Sequence, residues 1–141
     1  MRSEMDRQTQ LSMLYRNRDM LTALLGGRCT KCGTRQFPKS HICVNPNCGA
    51  LDTQEDAPFA NTAASIVTWS ADWLTYTPDP PAHYGMVQFD GGGRMMADFT
   101  DVDPGSFDVG TKMRMVFRVR EYDKQRGFRK YFWKATPAAK G

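Results

Sequence analysis

Cys29, Cys32, Cys43 and Cys48 are the chain's four cysteines, and their spacing is that of a metal site. A C-x2-C knuckle and a C-x4-C knuckle are separated by ten residues. Four thiolates so placed can close a tetrahedron on Zn²⁺, with no position left for water. A glycine follows each knuckle, Gly33 and Gly49. Such a glycine permits the positive-φ turn that aims backbone N–H groups at sulfur. Two disulfides are the competing chemistry, but a single cysteine cluster without a secretory leader argues for metal. Iron is a further alternative, as in a rubredoxin-like electron carrier. That chemistry is expected to repeat C-x2-C on both arms, so the longer Cys43–Cys48 arm favours zinc. His41 lies between the knuckles and is expected near the site or on the surface rather than as a ligand.

Other reactive groupings are weak. The sequence contains no G-x-S-x-G elbow, P-loop or dinucleotide fingerprint. Metal binding would occupy every thiol. His41 and His83 have no serine or cysteine in a recognisable arrangement with them. Asp98, Asp101 and Asp103 follow a predicted strand in a stretch whose composition favours turn capping over acid/base work. The metal is therefore expected to be structural and the chain non-catalytic by itself.

The elements that must position these groups read as mainly β. Residues 3–25 are predicted helical, with Ser3 and Asp6 at the start and a stripe of Leu11, Leu14, Leu21 and Leu25 widened by Met13, Met20 and Leu24. A break is expected near Asn17, with Asp19 capping a second short helix and Gly26-Gly27 closing the segment. The expected organisation is a helical arm (1–26), a zinc ribbon (27–50), a polar linker (51–61) and a barrel (62–141). In the ribbon, Phe37 is expected to pack across the metal, with Arg35 and Lys39 pointing outward by alternation. Strands are predicted at 64–70, 83–89, 94–99, 112–122 and 128–135, with Asp90-Gly91-Gly92-Gly93 as a hairpin turn. Five such strands, with a long connection between the third and fourth, match a small Greek-key barrel of the OB type. The connection from Asp72 to Ala82, stiffened by Pro78, Pro80 and Pro81, presents Trp73 and Tyr76 as candidate binding residues.

Charge narrows the partners. The formal net charge is +4 over 141 residues, and a zinc tetrathiolate would lower it to about +2. That is too mild to argue for nucleic acid alone. The basic residues concentrate between Lys112 and Lys134. A single-stranded nucleic-acid module, using Arg118, Arg120, Phe128, Arg129, Tyr131 and Trp133, is the alternative to a protein-binding role. No run of about 18 apolar residues exists, and the first 25 residues carry several charges. A cytoplasmic location without a membrane span is the expectation.

With these elements in place, the chain resembles the zinc-ribbon plus OB-fold acyl-CoA-associated family, often encoded beside thiolases and thiolase-like enzymes. The resemblance rests on Gly27-Arg28-Cys29-Thr30-Lys31-Cys32-Gly33 with Phe37-Pro38; on Cys43 to Cys48-Gly49; on Ile66-Val67-Thr68-Trp69; on Pro80-Pro81 with Tyr84-Gly85; on Phe99-Thr100-Asp101-Val102-Asp103; and on Val109-Gly110. Two features depart from it. The family's second knuckle is usually C-P-x-C, and Lys39 stands where an arginine is common. The resemblance implies a rubredoxin-like ribbon and a non-catalytic subunit that docks on a thiolase-fold enzyme as a hetero-oligomer. Such a subunit would help hold or shield a CoA thioester, with structural Zn²⁺ as its own cofactor. Arg28, Arg35, Phe37, Lys39, Trp73 and Tyr76 are the expected CoA contacts. The partner would perform thiolytic cleavage of a β-keto acyl-CoA, or an aldol-type relative.

Overall fold

A computed structural model describes residues 15–125 and 127–139. The expected cap at Ser3 and Asp6, and the stripe positions Leu11, Met13 and Leu14, lie outside them. Helix α1 (Arg18–Ala23) follows the break at Asn17, whose carbonyl accepts from the Leu21 N–H at 2.9 Å. Asn17, not Asp19, is the capping position; Asp19 stands in the first turn. The helix ends at Leu24, which turns at φ 48° and is fully buried.

Gly26-Gly27 does not close the helix. Both glycines belong to strand β1 (Leu25–Cys29). The reason is close approach. A Cβ on Gly26 would sit 2.3 Å from the Phe59 ring and 2.6 Å from the Gln36 carbonyl. Strand β1 pairs antiparallel with β2 (Arg35–Gln36) on one side and β3 (Gln54–Pro58) on the other. The stretch 51–61, expected as a polar linker, thus contributes a strand. Its Gln-Glu-Asp-Ala-Pro sequence carries no apolar alternation, and backbone pairing from Leu25↔Pro58 to Cys29↔Gln54 holds it in place.

The second sheet runs β6-β5-β4-β7-β8. Its strands are β4 (Ala64–Asp72), β5 (Ala82–Phe89), β6 (Arg94–Asp98), β7 (Lys112–Asp123) and β8 (Phe128–Pro137). The Phe99↔Ala135 bridge, with Thr100 N–H donating to the Ala135 carbonyl at 2.9 Å, brings the far edges together as an OB barrel requires. Two bulges bend the wall. One leaves Val67 unpaired on β4, and the other leaves Arg120 unpaired on β7. The barrel interior is filled by Ile66, Val87, Phe89, Met113 and Ala135, each at most 2% exposed.

Phe59 joins the two sheets. It is fully buried, 4.8 Å from the Phe89 ring and 5.8 Å from Phe37 in an edge-on contact. Phe37 therefore packs toward the barrel core instead of across the metal. No helix among the described residues is long and apolar enough to cross a membrane.

Candidate metal centre and adjoining surfaces

The β1–β2 turn brings Cys29 and Cys32 together, and the Cys43–Cys48 loop folds back against them. All four Sγ atoms lie within 4.8 Å of one another. Cys29 and Cys48 sulfurs are 3.9 Å apart, and those of Cys32 and Cys43 are 3.5 Å apart. These separations exclude disulfide bonds, which need about 2.05 Å. They fit the edges of a tetrahedron of ~2.3 Å zinc–sulfur bonds, about 3.8 Å. The knuckle glycines turn as expected, Gly33 at φ 74° and Gly49 at φ 53°. Within the longer second arm, the Asn45 carbonyl accepts from Cys48 and Gly49 N–H at 2.9 and 3.0 Å, and Asn45 Oδ1 accepts from Asn47 N–H at 3.0 Å. The extra residues thus close into a turn rather than loosening the site.

The surroundings prepare sulfur for negative charge. Thr34 Oγ1 lies 3.2 Å from Cys32 Sγ, and this hydroxyl with the Thr34 backbone N–H brings the Cys32 thiol down to about 6. Thr53 Oγ1, 3.2 Å from Cys29 Sγ, leads the groups that lower Cys29. The Asn45 N–H pulls Cys43 down, but burial and the neighbouring sulfurs outweigh it and push this thiol up to about 12. Four thiolates crowded together repel one another, and a divalent cation removes that penalty. The donor set fits a structural zinc. Gln36, 6% exposed, ties the two arms. Its amide donates to Ser40 Oγ at 2.8 Å and to the Ile42 carbonyl at 3.1 Å, and accepts from Val44 N–H at 2.9 Å. Sequence reading missed Gln36, because a buried amide leaves no hydrophobic signal. His41 is exposed and pairs with Asp52 at 2.7 Å, outside the cysteine cluster.

Arg35 does not point outward. Its guanidinium lies 4.3 Å over the Phe59 ring and donates to the Pro58 carbonyl at 2.8 Å. Longer bonds of 3.4 Å reach the Asp90 carbonyl and Thr62 Oγ1. Strand β2 spans only two residues, so alternation gives no guide to where a long side chain goes. Lys39 is exposed but paired with Asp56 at 2.7 Å. Arg28 is exposed on β1.

Trp73 and Tyr76 stand on the β4–β5 connection, 70% and 94% exposed. They lie at the Asp72↔Ala82 end of that hairpin, whereas Arg35 meets the turn at the Phe89 end. Eight paired residues on β5 separate the two ends by roughly 25 Å. The six residues expected to share one ligand thus divide between two places. A cleft of about 780 Å³ adjoins Tyr76, lined by Pro80, Pro81, Phe99, Arg120 and Lys134 among others. The β7 bulge sends Arg120 over the Phe132 ring, 5.7 Å from its centroid, and toward Asp98 at 3.7 Å. Arg118 pairs with Asp101 at 3.9 Å. Asp98 and Asp101 therefore pair with the basic strand, where turn capping was expected.

Comparisons with known proteins agree with this architecture. Two family models match: the rubredoxin-like zinc ribbon domain of ChsH2 over residues 23–54, and the C-terminal OB-fold domain of ChsH2 over residues 60–118. A DUF35 domain-containing scaffold protein of Pyrococcus furiosus is 32% identical over 96% of this chain and 98% of the relative. One from Methanothermobacter thermautotrophicus is 27% identical over 81% of this chain and 86% of the relative. Among solved structures, a chain of the Ltp2–ChsH2(DUF35) aldolase superposes with a TM-score of 0.64 at 16% identity, covering 89% of this chain and 92% of that one. A DUF35-family protein of unknown function from Sulfolobus solfataricus gives a TM-score of 0.54 at 13% identity, covering 96% of this chain and all of that one (100%).

Proposed function

Because the chain belongs to the family of DUF35 domain-containing scaffold proteins, with a ChsH2-type zinc ribbon and OB fold, we propose that it is the non-catalytic, zinc-containing subunit of a thiolase-fold enzyme acting on a CoA thioester. The observation that carries this reading is the saturated cysteine cluster. All four thiols converge on one point, where bound metal has no open coordination position. The chain's strongest chemical groups are thus committed to structure, and the nucleophile and acid/base groups belong to the partner. The solved neighbour from an aldolase adds support at the level of fold.

In this reading the partner cleaves a β-keto acyl-CoA or carries out a related aldol-type step. The present chain helps hold and shield the thioester. The cleft beside Tyr76 suits that task. Its proline and phenylalanine walls offer an apolar surface to a pantetheine arm, and Lys134 offers charge to phosphate oxygens. Closing this surface against a partner would keep water from the thioester. Tyr76, on the cleft wall, remains the proposed contact from the expected set, and Trp73 stands outside that lining. Arg35 and Phe37 serve the seam between ribbon and barrel. Arg28 and Lys39 are secondary candidates on the ribbon.

The nucleic-acid reading is weaker. The stacked Phe117–Tyr131 pair, 5.6 Å between centroids, would suit a base, yet Arg118 and Arg120 face Asp101 and Asp98. Kinetics of the assembled complex test the CoA reading. Lys134→Glu and Tyr76→Ala should each raise KM for the CoA substrate severalfold while leaving zinc content intact. Unchanged KM in both variants would remove the cleft from the substrate path.

A further inference from the structure

The loop between β4 and β5 carries an unusual combination of exposure and rigidity. Trp73, Leu74 and Tyr76 are 70%, 98% and 94% exposed. Single exposed apolar residues are ordinary, but three large ones within four positions form a patch. The loop is also held in shape. Asp72 Oδ1 accepts the Leu74 and Thr75 N–H groups at 2.8 and 3.2 Å, and its Oδ2 accepts the Thr75 hydroxyl. Pro78, Pro80 and Pro81 restrict the return path. A preformed loop loses little conformational entropy on binding, and tryptophan and tyrosine are the side chains most often found at the energetic centre of an interface.

Charge selects the partner. Between Lys39 and Arg94 the sequence contains neither lysine nor arginine. The loop itself carries Asp72 and Asp79 and no basic residue, while the adjoining cleft sets Asp98, Asp101 and Asp103 against Arg120 and Lys134. An apolar tip flanked by Asp72 and Asp79, with no cation in the loop, complements an apolar pocket edged by lysine or arginine.

We propose that Trp73 and Leu74 form the anchor by which this chain docks on its enzyme partner, entering an apolar pocket with a basic rim on the thiolase-fold subunit. The proposal rests on the functional reading above and adds to it the surface that makes the contact. Desolvating the anchor supplies most of the affinity, while Asp79 contributes to the encounter rate.

The test measures binding of the full zinc-loaded chain to the co-expressed thiolase-fold subunit by isothermal titration, with a Trp73→Ala/Leu74→Ser variant beside it. Both side chains face solvent, so the variant should keep its zinc and melting temperature. The expected result is a loss of at least about 30-fold in affinity, a hot-spot effect. Tyr131→Ala, on strand β8 and outside the cleft's lining, should bind normally. Asp79→Lys should slow association and weaken its dependence on salt. Wild-type binding with the loop variant within threefold of it would overturn the anchor and leave the subunit reading standing. A wild-type chain that fails to bind the enzyme subunit would overturn both. Loop-dependent self-association, or loop-dependent adsorption to phosphatidylglycerol vesicles, would reassign the patch and overturn the proposal.

Discussion

Replacing Arg35 by alanine should loosen the seam between ribbon and barrel without touching the metal. The guanidinium makes two strong contacts: the 2.8 Å bond to the Pro58 carbonyl and the 4.3 Å approach to the Phe59 ring. A hydrogen bond from a charged donor contributes about 1.5–3 kcal/mol, and a partly desolvated cation–π contact about 1–2 kcal/mol. The two 3.4 Å bonds are at the limit of useful geometry and add little. Ordering the long side chain offsets up to about 2 kcal/mol. The expected net loss is about 2 kcal/mol, or roughly a 6 °C fall in Tm for a domain of this size. Thermal unfolding of the zinc-loaded protein, followed by circular dichroism with zinc quantified in parallel, measures it. Arg35→Lys should recover less than half, because an ammonium cannot both lie flat on the ring and reach the carbonyl. A loss below about 0.5 kcal/mol, full rescue by lysine, or concurrent zinc release would refute this account of the seam.

Cys29→Ser should reduce zinc to well below one equivalent and unfold the ribbon, since metal affinity at such sites is folding free energy of about 10 kcal/mol or more; metal analysis and exchange protection of β1 amides report it. Gly26→Ala should destabilise the protein by at least about 2 kcal/mol, because a Cβ there would sit 2.3 Å from a fully buried phenylalanine ring; chemical denaturation measures the loss. The Asp72 carboxyl is held below its ordinary value by the Thr75 hydroxyl first and by the Leu74 and Thr75 N–H groups after it. A depressed folded-state value means that the loop's stabilisation is complete above the ordinary value near 3.8 and disappears as pH falls through the lowered one. Amide exchange of Leu74 and Thr75 should therefore stay protected at pH 5 and accelerate only below that window, and Asp72→Ala should lose the protection at neutral pH.

Much of this arrangement was readable because it depends on local chemistry. The cysteine spacing announced the metal site, and period-two patterns such as Met113-Arg114-Met115 marked the barrel strands. Reading failed where long-range packing overrides local signals. Gly26-Gly27 looked like a helix stop, yet those glycines make room for Phe59. Strand β3 has no apolar alternation, so its existence depends on its partner β1. Alternation points Arg35 outward, but its side chain is long enough to cross to another sheet. The cleft was hidden because its walls come from the 75–83 and 98–104 segments, with Arg120 aimed into it by a bulge. Trp73 and Tyr76, by contrast, were correctly expected at the surface, because a proline-rich connection of this length has little core to enter.

Reconstitution from separate subunits decides whether this chain serves as an accessory subunit. The zinc-loaded chain and the thiolase-fold subunit proposed as its partner should be purified separately, mixed, and assayed for complex formation and for turnover of a β-keto acyl-CoA. A defined hetero-oligomer should form, turnover should require the partner, and this chain alone should give none. Failure to form a complex, or turnover by the isolated chain, would contradict that role.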